Sequence, residues 1–100
     1  MKSLRQKVYE KLKQVPKGKV TTYKELAKAV NSKAYRAIGS FMKTNHDTKR
    51  IPCYRVVKSD GRIGEYSAAG GINKKVSLLK KEGIKISKGK VNLKKYLFKF

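Results

Sequence analysis

Cys53 carries the only thiol in this chain and is therefore the side chain best suited to nucleophilic chemistry. A cysteine reacts as its thiolate, so a reactive cysteine needs a positive or hydrogen-bonding environment and a reachable sulfur atom. Pro52 precedes Cys53 and restricts the backbone, and Arg55 follows closely. Because a lone cysteine is usually a small core residue, this pattern alone leaves open that Cys53 is inert.

The cysteine and histidine counts exclude several other kinds of site. One cysteine cannot form an internal disulfide or a cysteine-based zinc site. His46 is the only histidine that could serve as a base for Cys53, and it lies in a polar stretch where a histidine is usually solvated. We therefore expect neither a metal nor a cofactor.

The charge of the chain points to a polyanionic partner. Its 100 residues include 27 Lys and Arg but 6 Asp and Glu, for a formal net charge of +21. Lysine and arginine bind phosphates and release their counterions, so nucleic acid is the first interpretation. A solvated lysine-rich surface is the plain alternative. Membrane-surface binding ranks behind both, because no segment plainly shows a basic amphipathic helix with large apolar anchors.

The N-terminal half is predicted to form short helices with defined caps. Ser3 and Gln6 resemble a capping box that opens a helix ending near Pro16 and Gly18. A second capping box, Thr22 with Glu25, opens the next helix, and the break at residues 31–32 is the expected N-cap of the third. The apolar positions at helical spacing are Leu4, Val8, Leu12, Val15, Leu26, Ala27 and Val30.

The third helix has the clearest apolar face of the chain. That face holds Ala34, Ala37, Ile38, Phe41 and Met42. The opposite face is basic and small, with Lys33, Tyr35, Arg36, Gly39, Ser40 and Lys43. Two short helices with such an outer face fit a helix-turn-helix that binds DNA, although a plain helical hairpin with lysines on its wet side fits the pattern equally well.

The second half carries weaker signals. Residues 55–57 and Ile63 flank a turn at 59–62 and are expected to form a small hairpin, or wing. A helix should run from about Asn73 and stop at Gly83. Residues 85–100 are expected to form a hairpin or a tail that covers the core. The fold class is thus mostly α with a small β-hairpin, a single winged helix-turn-helix-like domain over residues 1–100.

The sequence around Cys53 resembles one known family. Residues 52–57, Pro-Cys-Tyr-Arg-Val-Val, resemble the Pro-Cys-His-Arg-Val signature of the O6-alkylguanine-DNA alkyltransferases, also called methylated-DNA–protein-cysteine methyltransferases. Residues 18–27 resemble the segment entering the family's helix-turn-helix, and residues 36–39 resemble the start of its recognition helix. With further motifs in the family's order through Glu82 and Gly83, the resemblance covers about residues 4–86.

The resemblance implies a chemical role for four residues. Cys53 would attack the alkyl carbon on O6 of guanine, once per molecule, and keep the alkyl group as a thioether. Asn45, eight residues before Cys53 as in the family, would brace the turn that carries it. Tyr54 takes the place of the family's relay histidine, and Glu82 would be the far end of that relay.

The resemblance also implies a binding role for others. Arg36 would enter the base stack where the damaged base has been flipped out, and Tyr23 would help to rotate the target phosphate. The outer face of the recognition helix would supply phosphate affinity without sequence preference. The residues expected to bind DNA are Tyr23, Lys33, Arg36, Gly39, Ser40 and Lys43, and those expected to line the alkyl pocket are Val56, Tyr66 and Ser67.

Three departures from the family matter. A phenol titrates near ~10, so Tyr54 is a poor base at neutral pH. The loop between Tyr66 and Glu82 is about two residues longer than usual, with Ala68 and Ala69 before its glycine pair. The chain begins with residues that resemble the DNA-binding domain, and we expect it to lack the family's N-terminal domain.

Three functions remain open on the sequence. The first is irreversible alkyl transfer from O6-alkylguanine in double-stranded DNA to Cys53, which the intact Pro-Cys-x-Arg-Val frame favours. The second is that of the alkyltransferase-like proteins, which bind the lesion without transfer and flag it for other repair proteins; Tyr54 and the short length favour it. The third is a general basic winged helix with an inert core cysteine.

The cellular setting is expected to be simple. The N-terminus turns polar at once and lacks the apolar stretch of a signal peptide, and no apolar run approaches the ~20 residues needed to span a bilayer. We expect a cytoplasmic, nucleoid-associated monomer that does not bind membranes.

Overall fold

The computed structural model describes residues 2–45, 47, 49–64 and 71–100. In these residues, short helices alternate with strands of two residues each. The helices are α1 (Leu4–Leu12), α2 (Tyr23–Ala29), α3 (Tyr35–Lys43), α4 (Gly71–Lys81) and α5 (Leu93–Tyr96), with a 3₁₀ turn at Cys53–Arg55. The strands are β1 (Thr21–Thr22), β2 (Val56–Val57), β3 (Ile86–Ser87) and β4 (Lys90–Val91).

Helices α1, α2 and α3 pack against one another around one core. The capping box predicted for α1 is confirmed, because Ser3 and Gln6 each accept a hydrogen bond from the other's backbone N–H. For α2, one of the two hydrogen bonds of the predicted capping box is confirmed: the Thr22 hydroxyl accepts from the N–H of Glu25. The core joins these helices to the cysteine turn through Val8, Leu12, Val15, Leu26, Ala27, Ile38, Met42, Cys53 and Val56.

The start of α3 differs from the prediction. We expected its N-cap within residues 31–32, but the N-cap is Ala34, which makes no side-chain cap hydrogen bond. Asn31 instead adopts a positive φ of 53°, and the Ser32 hydroxyl accepts from the N–H of Ala34. The connection between α2 and α3 is therefore longer than predicted. The chain first leaves α2 through the left-handed Asn31 and reaches the N-cap of α3 three residues later.

Strand β2 pairs with β1 and not across the turn that follows it. The pairing is parallel, with Thr21 opposite Val56 and Thr22 opposite Val57. The predicted turn at residues 59–62 is confirmed, since the N–H of Lys58 donates to the Arg62 carbonyl. The predicted pairing of residues 55–57 with Ile63 is wrong, because the N–H of Ile63 bonds to the Gly89 carbonyl instead. All four paired residues are buried, as expected of a strand pair covered on both faces. This pair fixes the Cys53–Arg55 turn directly beside the start of α2.

The small hairpin of the fold lies nearer the C-terminus. Strands β3 and β4 pair antiparallel across Lys88 and Gly89, whose φ angles of 53° and 73° match the two left-handed positions of a type I′ turn. Helix α5 follows, and Leu97 bridges to Val20. The prediction of a hairpin or tail over the core is confirmed, with α5 added. This half of the core comprises Val20, Val57, Ile63, Leu79, Ile84, Val91 and Tyr96.

Helix α4 ends at Lys81, is stopped by Gly83 as predicted, and starts two residues earlier than predicted. Gly83 has a φ of +88°. Its N–H bonds to the Lys80 carbonyl, and the N–H of Ile84 bonds to the Leu79 carbonyl, which together form a Schellman motif. The stop places Glu82 at the end of the helix, facing the cysteine turn. In the part of the chain that is described, no helix is long and apolar enough to cross a bilayer.

Candidate active site

Cys53 opens the 3₁₀ turn and is 5% exposed. The buried carboxamide of Asn45 ties down the segment just before it, because its Nδ2 donates to the Ile51 carbonyl at 2.8 Å and its Oδ1 accepts from the N–H of Asp47 at 3.0 Å. These two hydrogen bonds are what a brace of the Cys53 turn requires. The catalytic role assigned to Asn45 stays a prediction.

Two opposing effects act on the Cys53 thiol. Burial raises its pKa above the ordinary value, because a thiolate is poorly solvated in the core. A hydrogen bond with Asn45 and the positive charge of Lys75 both lower that pKa, but they do not offset burial fully. Cys53 is therefore a protected thiol whose reactivity depends on the few polar groups that reach it.

Tyr54 and Arg55 both bind Glu82, and these three residues form what we call the Glu82 cluster. The Tyr54 hydroxyl donates to Glu82 Oε2 at 2.5 Å. Arg55 forks onto the same carboxylate, with Nη2 to Oε2 at 2.8 Å and Nε to Oε1 at 3.0 Å. The N–H of Gly18 donates to Oε1, and Arg55 Nη1 donates to the Val15 carbonyl. The cluster thus joins the end of α4, the cysteine turn and the loop after α1.

The electrostatics of this cluster define the state of Tyr54. Burial and the hydrogen bond to Glu82 raise the pKa of Tyr54 to about 12. Burial also acts to raise the pKa of Glu82, but hydrogen bonds from Arg55, Tyr54 and Gly18 outweigh it and hold that pKa below its ordinary value. At neutral pH the phenol is a proton donor to an ionised carboxylate. Tyr54 therefore cannot act as the base that a histidine would be.

Lys75 is a second polar neighbour of Cys53, and sequence reasoning missed it as a functional residue. It lies on α4, is 1% exposed, and donates from Nζ to the Val56 carbonyl at 2.7 Å. Burial lowers the pKa of Lys75 to about 8, and the nearby Cys53 charge acts in the opposite direction. In a lysine-rich chain, the sequence alone predicts that a lysine side chain is exposed to solvent. Only its place on the same side of α4 as Leu79, one turn away, could have signalled burial.

The outer face of α3 is exposed as predicted. Lys33, Arg36, Ser40 and Lys43 are exposed, Gly39 is half-buried, and Tyr35 is 51% exposed. Their apolar counterparts Ile38 and Met42 are buried against α1 and α2. Tyr23 begins α2 and is half-buried beside the same core. The structure thus presents one basic helix face to a partner, while the individual DNA contacts stay predictions.

The predicted alkyl pocket is described only in part. The Val56 side chain is fully buried in the core, so its backbone is the part that could face a substrate. Tyr66 and Ser67 lie outside the described residues, as does His46. Their proposed roles, and the longer loop between Tyr66 and Glu82, stay predictions.

A helix-turn-helix with a basic outer face, joined to a thiol on a braced turn, defines a DNA-binding domain that carries one buried cysteine. The family model described as the DNA-binding domain of 6-O-methylguanine DNA methyltransferase matches residues 3–84. The chain belongs to this family.

Several proteins named as methyltransferases are similar to this chain in sequence. A bifunctional methyltransferase/endonuclease of Picrophilus torridus is 47% identical over 92 residues, which cover 91% of this chain and 30% of that protein. A methylated-DNA–protein-cysteine methyltransferase of Thermococcus kodakarensis is 51% identical over 80 residues, covering 79% and 44%. The chain therefore spans less than half the length of these relatives.

The similarity in structure extends further along the chain. The alkyltransferase-like protein of Schizosaccharomyces pombe, in complex with damaged DNA containing O6-carboxymethylguanine, superposes with a TM-score of 0.87 at 31% identity and covers 100% of both chains. The chain is thus similar both to proteins named as methyltransferases and to an alkyltransferase-like protein.

Proposed function

We propose that this protein binds O6-alkylguanine in duplex DNA and accepts the alkyl group irreversibly on Cys53. The observation that carries the proposal is the placement of Cys53: a lone thiol on a 3₁₀ turn that follows the segment braced by Asn45 and packs against the helix that carries the buried Lys75. An inert core cysteine needs neither a polar brace nor a buried cation beside it. Membership of the methyltransferase family supplies the substrate class.

The transfer is a single displacement. The Cys53 proton leaves to water, the sulfur lone pair forms a bond to the alkyl carbon, and the bond from that carbon to O6 breaks. The electron pair stays on the guanine, which takes one proton from water and becomes ordinary guanine. Because the thioether is stable, each molecule reacts once and needs no cofactor.

Delivery of the base would fall to α3. Chemistry on a base inside a duplex requires its extrusion, which costs a few kcal/mol and must be offset by an inserted side chain and a shaped pocket. Arg36 is exposed on the outer face of α3, with a reach suited to filling the vacated stack. Lys33, just before the N-cap of α3, and Lys43, at the end of α3, are both exposed and would hold the phosphates.

The test is an intact-mass measurement after incubation with a duplex containing O6-methylguanine. We expect the parent to gain the mass of one CH₂ unit and the Cys53→Ser variant to gain nothing. A parent that binds the damaged duplex tightly and keeps its original mass would rule out transfer.

A second candidate is lesion binding without transfer. The observation that favours it is Tyr54, which stands in the relay position as a proton donor to Glu82 and cannot deprotonate Cys53. This candidate predicts that Cys53→Ser retains both the affinity for alkylated duplex and the preference over undamaged duplex. Binding competition between the two duplexes, read by fluorescence anisotropy with the parent and the variant side by side, supports this candidate when the intact mass of the parent also stays unchanged.

A further inference from the structure

Lys75 is the one basic residue that the fold removes from water. All 27 lysines and arginines lie in the described part of the chain, and Lys75 alone among them is buried. Its neighbour on the same helix, Lys74, is exposed. The burial of Lys75 is thus a property of its position and not of the lysine-rich composition.

The ammonium group is fixed in one place. Its Nζ donates to the carbonyl of Val56, the residue that directly follows the Cys53–Arg55 turn. Helix α4, which carries Lys75, packs against that turn. The backbone also approaches Nζ from Gly64, where an added Cβ would lie 3.9 Å from it. A group held this way offers a fixed charge and not a mobile one.

Burial of a cation costs free energy, because the charged group loses its hydration. An apolar side chain of similar length would pack there without losing the hydration of an ammonium group. The charge is therefore retained against a cost, as it is at sites where a charge stabilises a reacting group. The turn against which α4 holds this ammonium group carries the Cys53 sulfur, and the charge acts to lower the pKa of that thiol.

We propose that Lys75 is the residue that favours the reactive anionic form of the Cys53 sulfur, in the place of a base next to the cysteine. This inference rests on the proposed transfer to Cys53 and names what activates it. Lys75 keeps its proton and remains a donor to the Val56 carbonyl, while the Cys53 proton leaves to water. The ammonium charge favours the thiolate, so Lys75 is a positioning residue that acts through the sulfur and need not touch the DNA.

Few other groups act on the same sulfur among the described residues. Asn45 reaches it from the preceding loop and is uncharged. Tyr9 and Tyr23 border the surrounding core from α1 and α2, and neither supplies a positive charge. Tyr54, Arg55 and Glu82 engage one another. Lys75 is therefore the charge whose removal should move the ionisation of Cys53.

The experiment titrates Cys53 without DNA. The rate of alkylation by iodoacetamide is measured against pH for the parent, Lys75→Gln, Lys75→Arg and the matched control Lys74→Gln. Glutamine can still donate to the Val56 carbonyl but carries no charge. We expect Lys75→Gln to raise the apparent pKa of Cys53 and to slow alkylation near neutral pH by about tenfold, the change in thiolate fraction that one pKa unit produces. Lys75→Arg should recover most of the rate, and Lys74→Gln should match the parent.

Two measurements, the thermal melt and the pH profile, distinguish an effect on the Cys53 thiol from a loss of folding. Thermal melts show whether each variant folds, and the pH profile reports the thiol itself, which a purely structural role of Lys75 would not shift. A folded Lys75→Gln with the parent's profile overturns the proposal, as does a Lys75→Arg variant as slow as Lys75→Gln. If Lys75→Gln unfolds, Lys75→Met takes its place with the same criterion. A parent that reacts with iodoacetamide but never takes an alkyl group from DNA would instead contradict the proposed transfer and leave the Lys75 measurement intact.

Discussion

Burial and charge act in opposite directions on Cys53, and the balance between them decides what the molecule can do. Its pKa is raised by burial, which suits a thiol that must survive until it meets its one substrate. Asn45 and Lys75 recover part of the thiolate, while Tyr54 binds its proton tightly and contributes none. The family assignment leaves open whether Cys53 accepts an alkyl group, and these few residues decide that question.

Replacing Tyr54 by histidine tests whether the missing base limits that rate. A histidine titrates near ~6.5 and can both contact Glu82 and accept a proton near neutral pH. We expect Tyr54→His to accelerate transfer from an O6-methylguanine duplex at least about tenfold, below the ~10²–10⁴ typical of general bases, because Lys75 already supplies part of the activation. Single-turnover kinetics measure this rate. Tyr54→Phe, which adds no base, should not accelerate transfer; equal acceleration by both variants would contradict the argument.

Glu82 should couple stability to pH. Its pKa is lower folded than unfolded, so its contribution is complete above about 4.3, the unfolded value, and is lost as the pH falls through the folded pKa. Its side chain is 7% exposed and binds a guanidinium that is 15% exposed. Glu82→Gln should therefore lower the free energy of unfolding by about 3 kcal/mol near neutral pH, since it leaves Arg55 buried without a counter-charge.

Urea denaturation at several pH values measures this coupling. The stability difference between the parent and Glu82→Gln should shrink as the pH falls below about 4. Glu10→Gln is the matched control, because Glu10 forms an exposed ion pair with Lys2 and should have little effect at any pH. A difference for Glu82→Gln that stays constant down to strongly acidic pH would contradict the assignment.

At the scale of elements, the sequence predicts features set by neighbouring residues and misses contacts between residues far apart in the chain. The cap of α1, the stop at Gly83 and the apolar face of α3 follow from residues within two turns of each other, so pattern identifies them. The pairing of β2 with β1 does not, because strands of two residues carry no periodicity and the partners lie far apart in the chain. The Glu82 cluster is missed in part for the same reason: Gly18 and Val15 reach it from another element.

Helix α3 should separate lesion recognition from DNA affinity. Arg36 is proposed to fill the stack and Lys33 to bind phosphate, and both are exposed. Arg36→Ala should reduce the preference for alkylated over undamaged duplex by about tenfold or more, because extrusion then loses the side chain that offsets its cost. Lys33→Ala should weaken binding to both duplexes to a similar extent. Competition binding measures both quantities, and an Arg36→Ala variant that discriminates as well as the parent would contradict base flipping by this residue.

The turn before Ile63 should tolerate no side chain at Gly61. Its φ is +90°, and an added Cβ would lie 2.5 Å from the Val91 carbonyl oxygen, a backbone atom that cannot move aside. We expect Gly61→Ala to lower the free energy of unfolding by about 2–3 kcal/mol. Gly89→Ala is the control, because its φ is +73° with no atom near the added Cβ, and it should cost about 1 kcal/mol. Equal losses in thermal or urea denaturation would show that strain alone, and not the contact with β4, limits position 61.

At the scale of the whole molecule, the basic residues serve two different ends. All but Lys75 are at least partly exposed, and their mutual repulsion destabilises the folded chain until a polyanion neutralises it. The exposed charges are suited to holding DNA of any sequence, while the buried charge is suited to acting on one sulfur atom. The exposed basic residues would thus supply the affinity for DNA, and the buried Lys75 would act on the Cys53 sulfur.

This division predicts how salt should affect binding. The logarithm of the affinity should fall linearly with the logarithm of the salt concentration, with a slope near −4 or steeper if about five phosphates are contacted. The preference for alkylated over undamaged duplex should stay nearly constant over the same range, because the phosphate contacts are common to both duplexes and the extruded base is held by groups that displace no counterions. Anisotropy titrations of both duplexes at several salt concentrations measure the slope and the ratio. A shallow slope would assign the surplus lysines to the solvated surface, and a ratio that collapses with salt would mean that the lesion is recognised through phosphate contacts and not through the base.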